Sequence, residues 1–252
     1  DQPISDAATL VRPANLRGLA PDHTLMLVNG KRRHRASVIT WLGNGISNGS
    51  QGPDAAAIPA LALKRIEVLR DGASAQYGSD AIAGVMNFVL NDAREGGSVE
   101  VRYGEYKEGD GEQVTIAGNI GLPLGDSGFL NLTAEWGESD PTSRSEQRAD
   151  AQSLIDDGYQ GVPAPAMIWG RPIVNDDMKL WANFGVDLSD TLELYGHANY
   201  NSKEVDGGFF FRNPTNRGAV YSGDGGATLL IGDLTPDDGA GCPVVALNGN
   251  IP

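Results

Sequence analysis

From Val99 to Tyr200 apolar and polar residues alternate one for one in five separate stretches. Val99, Val101 and Tyr103 bracket Glu100 and Arg102, and Val114, Ile116, Gly118, Ile120 and Leu122 enclose Thr115 and Asn119. Leu130, Leu132, Ala134 and Trp136 alternate with Asn131, Thr133 and Glu135. Further on, Met178, Leu180, Ala182, Phe184, Val186 and Leu188 alternate with Lys179, Asn183 and Asp187. Leu192, Leu194, Gly196, Ala198 and Tyr200 do the same with Glu193, Tyr195, His197 and Asn199. A period of two predicts strands with one apolar and one polar face. Each stretch is about ten residues long, enough for a tilted strand to cross a bilayer and longer than the 5–6 residues common in soluble sheets.

The connections differ in length in a regular way. Strands one and two join near Glu108–Gly111, and two and three through the tight Pro123–Gly128 segment. About forty residues, Ser139 to Asp177, separate three and four, whereas four and five are joined at Ser189-Asp190. A long Gly-rich stretch follows Ser202. Tight turns on one side and long loops on the other are the asymmetry of outer-membrane barrels. A soluble all-β domain with irregular loops is the alternative. Five strands cannot close a barrel, since small barrels start at about eight, so the pattern predicts an incomplete wall. No apolar run approaches the roughly 18 residues of a spanning helix.

Before Asn91 the apolar residues come in dense runs, Thr24–Val28, Ile66–Leu69 and Val85–Leu90. Such runs predict strands buried on both faces. Asn29-Gly30 and Asp71-Gly72 follow two of them as turn formers. Ser79-Asp80 ahead of Ala81-Ile82-Ala83 predicts a helix start, with Gly84 as its stop. The outcome is a small α/β module, and Asn91–Gly97 reads as the connector to the alternating region. Charge changes at the same place: residues 1–95 hold 10 Lys+Arg against 9 Asp+Glu, and residues 96–252 hold 9 against 24. Two domains are expected, 1–92 and 96–252.

Three stretches of the first region carry more. They are Asn15-Leu16-Arg17-Gly18-Leu19, then Thr24-Leu25-Met26-Leu27-Val28-Asn29-Gly30-Lys31-Arg32, then Ile58-Pro59 through Arg65-Ile66-Glu67-Val68-Leu69-Arg70 to Val89. In order, spacing and content they resemble the plug domain of the TonB-dependent outer-membrane receptors, over roughly residues 7–92. Asp71-Gly72 stands where many members carry Gly-Pro. The resemblance implies an α/β plug domain followed by antiparallel β-strands of an incomplete 22-stranded transmembrane β-barrel, of which residues 96–252 supply about the first five strands.

It also implies the activity and partners. A receptor of this kind binds a scarce nutrient, such as an iron chelate, cobalamin or a glycan, at the Gram-negative cell surface and imports it into the periplasm. The TonB energy-coupling protein, with its inner-membrane motor complex, engages an N-terminal box expected to precede Asp1. Outer-membrane lipid is the other partner. Arg17 and Arg70 resemble the plug arginines that lock onto acidic residues of the barrel wall. Arg35 to Asp54 corresponds to an apical plug loop, and Arg35, Trp41, Asn44, Asn48 and Gln51 become candidate substrate-binding residues, able to stack on and hydrogen-bond a polar ligand. Trp169, Arg171 and Phe209-Phe210-Phe211 are secondary candidates, or else part of an interfacial aromatic girdle. A non-transporting soluble or surface β-rich ligand-binding module, for example one that binds glycans, is the alternative function.

The remaining composition narrows the chemistry. The 252 residues are 40% apolar and 21% charged, as expected of a folded chain. The single cysteine, Cys242, rules out an intrachain disulfide framework. His23, His34 and His197 lack metal-ligand spacing, and no Gly-x-Ser-x-Gly elbow occurs. No enzyme, cofactor or metal site is therefore expected; Ser222–Gly225 with Asp233, Asp237 and Asp238 lacks the full EF-hand spacing and reads as an acidic loop, with Ca²⁺ held by its carboxylate and carbonyl oxygens as the alternative. Glycines 72, 78 and 84 fit neither phosphate-loop pattern. Lys31-Arg32-Arg33-His34-Arg35 is a short basic cluster without interleaved aromatics in a chain of net charge −14, so no nucleic-acid partner is expected. An opening of Asp1-Gln2-Pro3 without Met suggests a processed or truncated piece.

Overall fold

The computed structural model describes residues 11–39, 49–142, 144–158, 162–167 and 170–207, together with the backbone of two short paired segments at 228–229 and 245–246. Contacts divide these residues into two units. One contains two β-sheets; the other contains a helix and the paired segments at 228–229 and 245–246.

The N-terminal sheet is built from β1 (Thr24–Val28), β2 (Lys31–Arg32), β3 (Leu63–Leu69) and β4 (Gly84–Leu90), in the order β2-β1-β4-β3. Asn29 and Gly30, with φ of 47° and 74°, form the two-residue hairpin between β1 and β2. β1 runs parallel to β4, Thr24 opposite Gly84 and Val28 opposite Phe88. All five residues of β1 are buried, because strands flank it on both edges and apolar clusters cover both faces. Leu25, Leu27 and Val85 pack with Ala73 and Ala81 on one face. Met26, Val28, Phe88 and Leu90 pack with Ile58, Ala62 and Trp181 on the other.

Two expectations for this module are corrected. The Ile66–Leu69 run is not buried on both faces: β3 is an edge strand paired with β4 alone, and every residue after Leu63 is exposed. The helix expected at Ser79–Ala83 is a single 3-10 turn, Ser79–Ala81, preceded by the one-turn helix α1 (Ser74–Tyr77). Gly78 at φ 94° separates them, and the few residues left before β4 cannot propagate a helix beyond its nucleus. Gly84 opens β4 instead of stopping a helix. Its φ is 143°, and a Cβ there would lie 2.2 Å from the Leu69 carbonyl oxygen.

The second sheet is an antiparallel meander of β5 (Gly97–Gly104), β6 (Gln113–Leu124), β7 (Gly128–Ser139), β8 (Ile173–Ser189) and β9 (Leu192–Asp206), ordered as in the sequence. The alternation sets its two faces. Val99, Val101, Leu180 and Leu194 stand 79, 66, 42 and 50% exposed on one face, whereas Asn131, Thr133, Glu135, Lys179, Trp181 and Asn183 are buried on the other. Register places Glu135 opposite Lys179, and Lys179 Nζ donates to Glu135 Oε1 at 2.7 Å with Asp177 at 3.2 Å. Paired in this way, the buried ions avoid the cost of an unneutralised charge. The turns after β6 and β8 are tight, and the long connection after β7 carries the helix α2 (Ala149–Asp156), which the pattern did not indicate. α2 belongs to the second unit and buries Ala151 and Leu154, three residues apart on one face.

Between the sheets, the connector lies against β6. Arg94 donates to the Asp126 carbonyl at 2.7 Å, and Gly121 faces it so closely that a Cβ would sit 2.4 Å from the Ala93 oxygen.

Candidate functional site

The polar face of the wall receives the N-terminal module through side chains that the alternation already turns inward. Trp181 is the apolar member of that face. It is 4% exposed and completes the cluster of Met26, Val28, Ile58 and Phe88. Its Nε1 donates to the Ala57 carbonyl at 2.9 Å, which satisfies the one polar atom a buried indole carries. His197 of β9 stacks on it at 6.2 Å and 11°. The guanidinium of Arg33 lies 5.3 Å from the Trp181 ring centroid and donates to Asn199 Oδ1 at 2.9 Å.

Below this contact runs a relay of amides. The left-handed Asn29 of the β1–β2 hairpin accepts from the Leu90 N–H at 2.8 Å and donates to Asn183 Oδ1 at 3.1 Å. Asn183 donates to the Asn91 carbonyl at 2.9 Å, and the Asn91 side chain donates to Asn119 Oδ1 at 3.3 Å. Asn119 donates in turn to Asn131 and Thr133 at 2.6 and 2.8 Å. Asparagine suits these positions because its amide offers donor and acceptor together. Further along the wall, Lys203 reaches Asp54 at 3.6 Å, and Asp54 also accepts from the Arg12 and Ala56 N–H groups at 2.9 and 3.0 Å. Burial lowers the pKa of both Arg12 and Arg33, against the opposing pull of Asp54.

The residues singled out from the sequence fall in three places. Arg35 and Gln51 line a common cavity of about 280 Å³ beside the β1–β2 hairpin. Gln51 Nε2 donates to the Ala36 carbonyl at 2.7 Å, and the Ala36 N–H to the Gly52 carbonyl at 3.1 Å, so the two ends of the intervening loop are stapled together. Arg35 lies 3.7 Å from Asp80, which also pairs with Arg32. His34, between them, has its pKa lowered by burial and then by Arg33. Trp41, Asn44, Asn48, Trp169, Phe209-Phe210-Phe211, Cys242 and the acidic residues Ser222–Gly225, Asp233, Asp237 and Asp238 lie outside the described residues.

Arg17 and Arg70 are exposed, Arg17 at φ 57° in a turn closed by Leu19 N–H donating to the Leu16 carbonyl at 3.1 Å. Arg171 ties the start of the long β7–β8 connection to its end, its N–H donating to Thr142 Oγ1 at 2.8 Å and its guanidinium to Gln113 at 2.9 Å. Trp181, Asn29, Asn91, Asn183 and Lys203 were not singled out. For Trp181 a signal existed: it is an aromatic in the polar register of its strand, between Lys179 and Asn183.

An α/β module docked on the polar face of a two-faced antiparallel wall is the architecture of a plugged β-barrel receptor. Residues 5–85 match the TonB-dependent Receptor Plug Domain family, and the chain belongs to the TonB-dependent receptors, with the plug followed by antiparallel wall strands. It is 30% identical over 226 residues to the ferrienterobactin receptor of Escherichia coli K12, covering 84% of this chain and 26% of that protein. It is 37% identical over 84 residues to the ferric enterobactin receptor of Pseudomonas aeruginosa, covering 32% of this chain and 11% of that protein. In fold it is similar to the crystal structure of a double mutant of the P. aeruginosa ferric enterobactin receptor, with a TM-score of 0.56 at 21% identity over 79% of this chain and 27% of that one. The chain thus spans about a quarter of the length of the E. coli relative.

Proposed function

We propose that this chain is the plug and the leading strands of a 22-stranded outer-membrane barrel that imports a ferric chelate. The observation that carries the proposal is the two-faced wall. Its strands β6 to β9 have 12, 12, 17 and 15 residues, each at or above the roughly 9–11 needed to cross a bilayer with tilt. Exposed Val99, Val101, Leu180 and Leu194 would be costly in water as one continuous face but belong in hydrocarbon. The polar face is occupied by the plug instead of by a lumen of solvent. Enterobactin recognition by the named relatives supports an iron chelate over cobalamin or glycan as the substrate.

In this function the plug is a two-state element. Chelate bound at the outer face, near Arg35, Trp41, Asn44, Asn48 and Gln51, favours one state, and the TonB energy-coupling protein favours the other by pulling on the N-terminal side. Arg17 and Arg70 hold the plug through acidic residues of the barrel wall, while Arg33, Trp181 and the asparagine relay hold it on the side of β8 and β9. A strain deleted for the gene is expected to grow poorly when iron is supplied only as a ferric chelate and normally with cobalamin or polysaccharide. Normal growth on every ferric chelate overturns the substrate assignment. Absence of heat-modifiable migration in outer-membrane fractions overturns the barrel itself.

A further inference from the structure

We propose that Asp54 is the transmission residue of import, the point at which a pull on the N-terminal segment reaches the apical loop and the wall. The inference rests on the import reading. It starts from two short segments, far apart in the chain, that are zipped together. Pro13 and Asp54 form an isolated antiparallel bridge. The Arg12 N–H donates to Asp54 Oδ1 at 2.9 Å, and the Ala55 N–H donates back to the Arg12 carbonyl at 2.9 Å. The same Oδ1 accepts from the Ala56 N–H at 3.0 Å and so caps the turn Ala55–Ala57. Gly52 closes the joint, since a Cβ there would lie 2.8 Å from the side chains of both Pro13 and Pro21.

Two routes lead away from this joint. Asp54 Oδ2 faces Lys203 of β9 at 3.6 Å. Gln51 and Gly52, just ahead of Asp54, are stapled to Ala36 at the other end of the apical loop. The joint's place in the chain gives it a role. Among the described residues, Arg12 makes the first hydrogen bonds of the chain to a distant segment. Tension applied ahead of it therefore loads Asp54 first. Without the joint the pull would pass on to β1, whose five residues are buried and paired on both edges. Core strands open only near the global unfolding free energy, whereas a loop foot held by a few hydrogen bonds opens locally at far lower cost. Asp54 thus routes the pull to the foot of the chelate-facing loop and away from the best-held strand. A chelate on that loop is felt at the N-terminal segment through the same joint, because coupling between two sites is reciprocal.

The test replaces the tie with one that can be made and broken. Pro13 and Asp54 are bridge partners, close enough for a disulfide. Pro13→Cys/Asp54→Cys in the whole receptor carries a covalent tie when oxidised and lacks the Asp54 carboxylate when reduced. Binding and uptake of radiolabelled ferric enterobactin and ferrichrome are measured in cells in both states, with the parent under the same reductant as the control for Cys242. The oxidised variant is expected to import at the parental rate. Reduction should lower import at saturating chelate by about tenfold or more while affinity stays within about twofold. Asp54→Asn, whose amide oxygen still accepts from Arg12, should import well and Asp54→Ala poorly, and this pair decides if the disulfide variant does not fold or close. Equal import in the two redox states would overturn the proposal. So would import blocked by the disulfide and released by reduction, since the joint would then have to open instead of carrying the pull. Affinity falling in step with import would make Asp54 merely structural. A parent that takes up neither chelate overturns the import reading, and this inference with it.

Discussion

Arg33 of the plug rests over Trp181 of the wall, its guanidinium carbon 5.3 Å from the ring centroid, and the same guanidinium donates to Asn199 on the neighbouring strand. A cation–π contact of this kind contributes about 0.5–2 kcal/mol depending on how dry it is, and the hydrogen bond adds roughly 1 kcal/mol. Arg33→Ala is therefore expected to destabilise plug docking by about 1–2 kcal/mol. Arg33→Lys should recover only part of that, because a lysine cannot stack and reach Asn199 with one planar group. Urea titration of the whole receptor, followed by protease cleavage within the plug, measures it. Identical midpoints for Arg33→Ala and the parent would contradict the docking role.

Trp181 separates packing from hydrogen bonding. Trp181→Phe keeps most of the aromatic volume but removes the indole donation to the Ala57 carbonyl, at an expected cost of about 0.5–1.5 kcal/mol. Trp181→Ala also opens a cavity in the cluster that Met26, Val28 and Phe88 share with it, at about 3–5 kcal/mol. Thermal unfolding of the two variants should rank them in that order. Equal losses would mean that the ring volume contributes nothing beyond the indole N–H.

Gly84 has no substitute. With φ at 143° and the Leu69 oxygen 2.2 Å from where a Cβ would stand, Gly84→Ala must displace β3 from β4. The expected loss exceeds about 3 kcal/mol, in the range that marks a backbone defect and not a surface change. Circular dichroism and protease resistance of the folded receptor check it, and a shift below about 0.5 kcal/mol would show that the strand start relaxes freely.

Leu180→Arg discriminates a membrane wall from a water-exposed sheet. At a position already 42% exposed, the change would stay within about 0.5 kcal/mol in water. Facing hydrocarbon near the bilayer midplane, it should cost about 2–4 kcal/mol. Folding yield into lipid vesicles, read by heat-modifiable migration, is expected to fall for Leu180→Arg. An undiminished yield would place this face in water.

Strand identity in the wall was legible because a period of two leaves its mark on every residue, from Val99 through Tyr200. The tight turns were equally legible at Gly125 and Asp190, since backbone chemistry there is local. Local signals served the plug less well. Ile66, Val68 and Leu69 look like core in sequence, yet β3 is the sheet edge, and being an edge depends on which strands pair. Ser79-Asp80 looks like a helix start, but Gly78 and the nearby start of β4 leave room for one 3-10 turn.

Residue order alone thus determined the strands of the wall, the turn at Asn29-Gly30, the inward and outward faces of the wall, and the family. Only the tertiary structure decided what meets across the sheets: Arg33 with Trp181, Asn29 with Asn183, and Asp54 with Lys203. The physical reason is range. Strand periodicity and turn geometry act over a few neighbouring residues, whereas a cation finds its aromatic, and an amide its partner, only after strands far apart in the chain have been placed side by side.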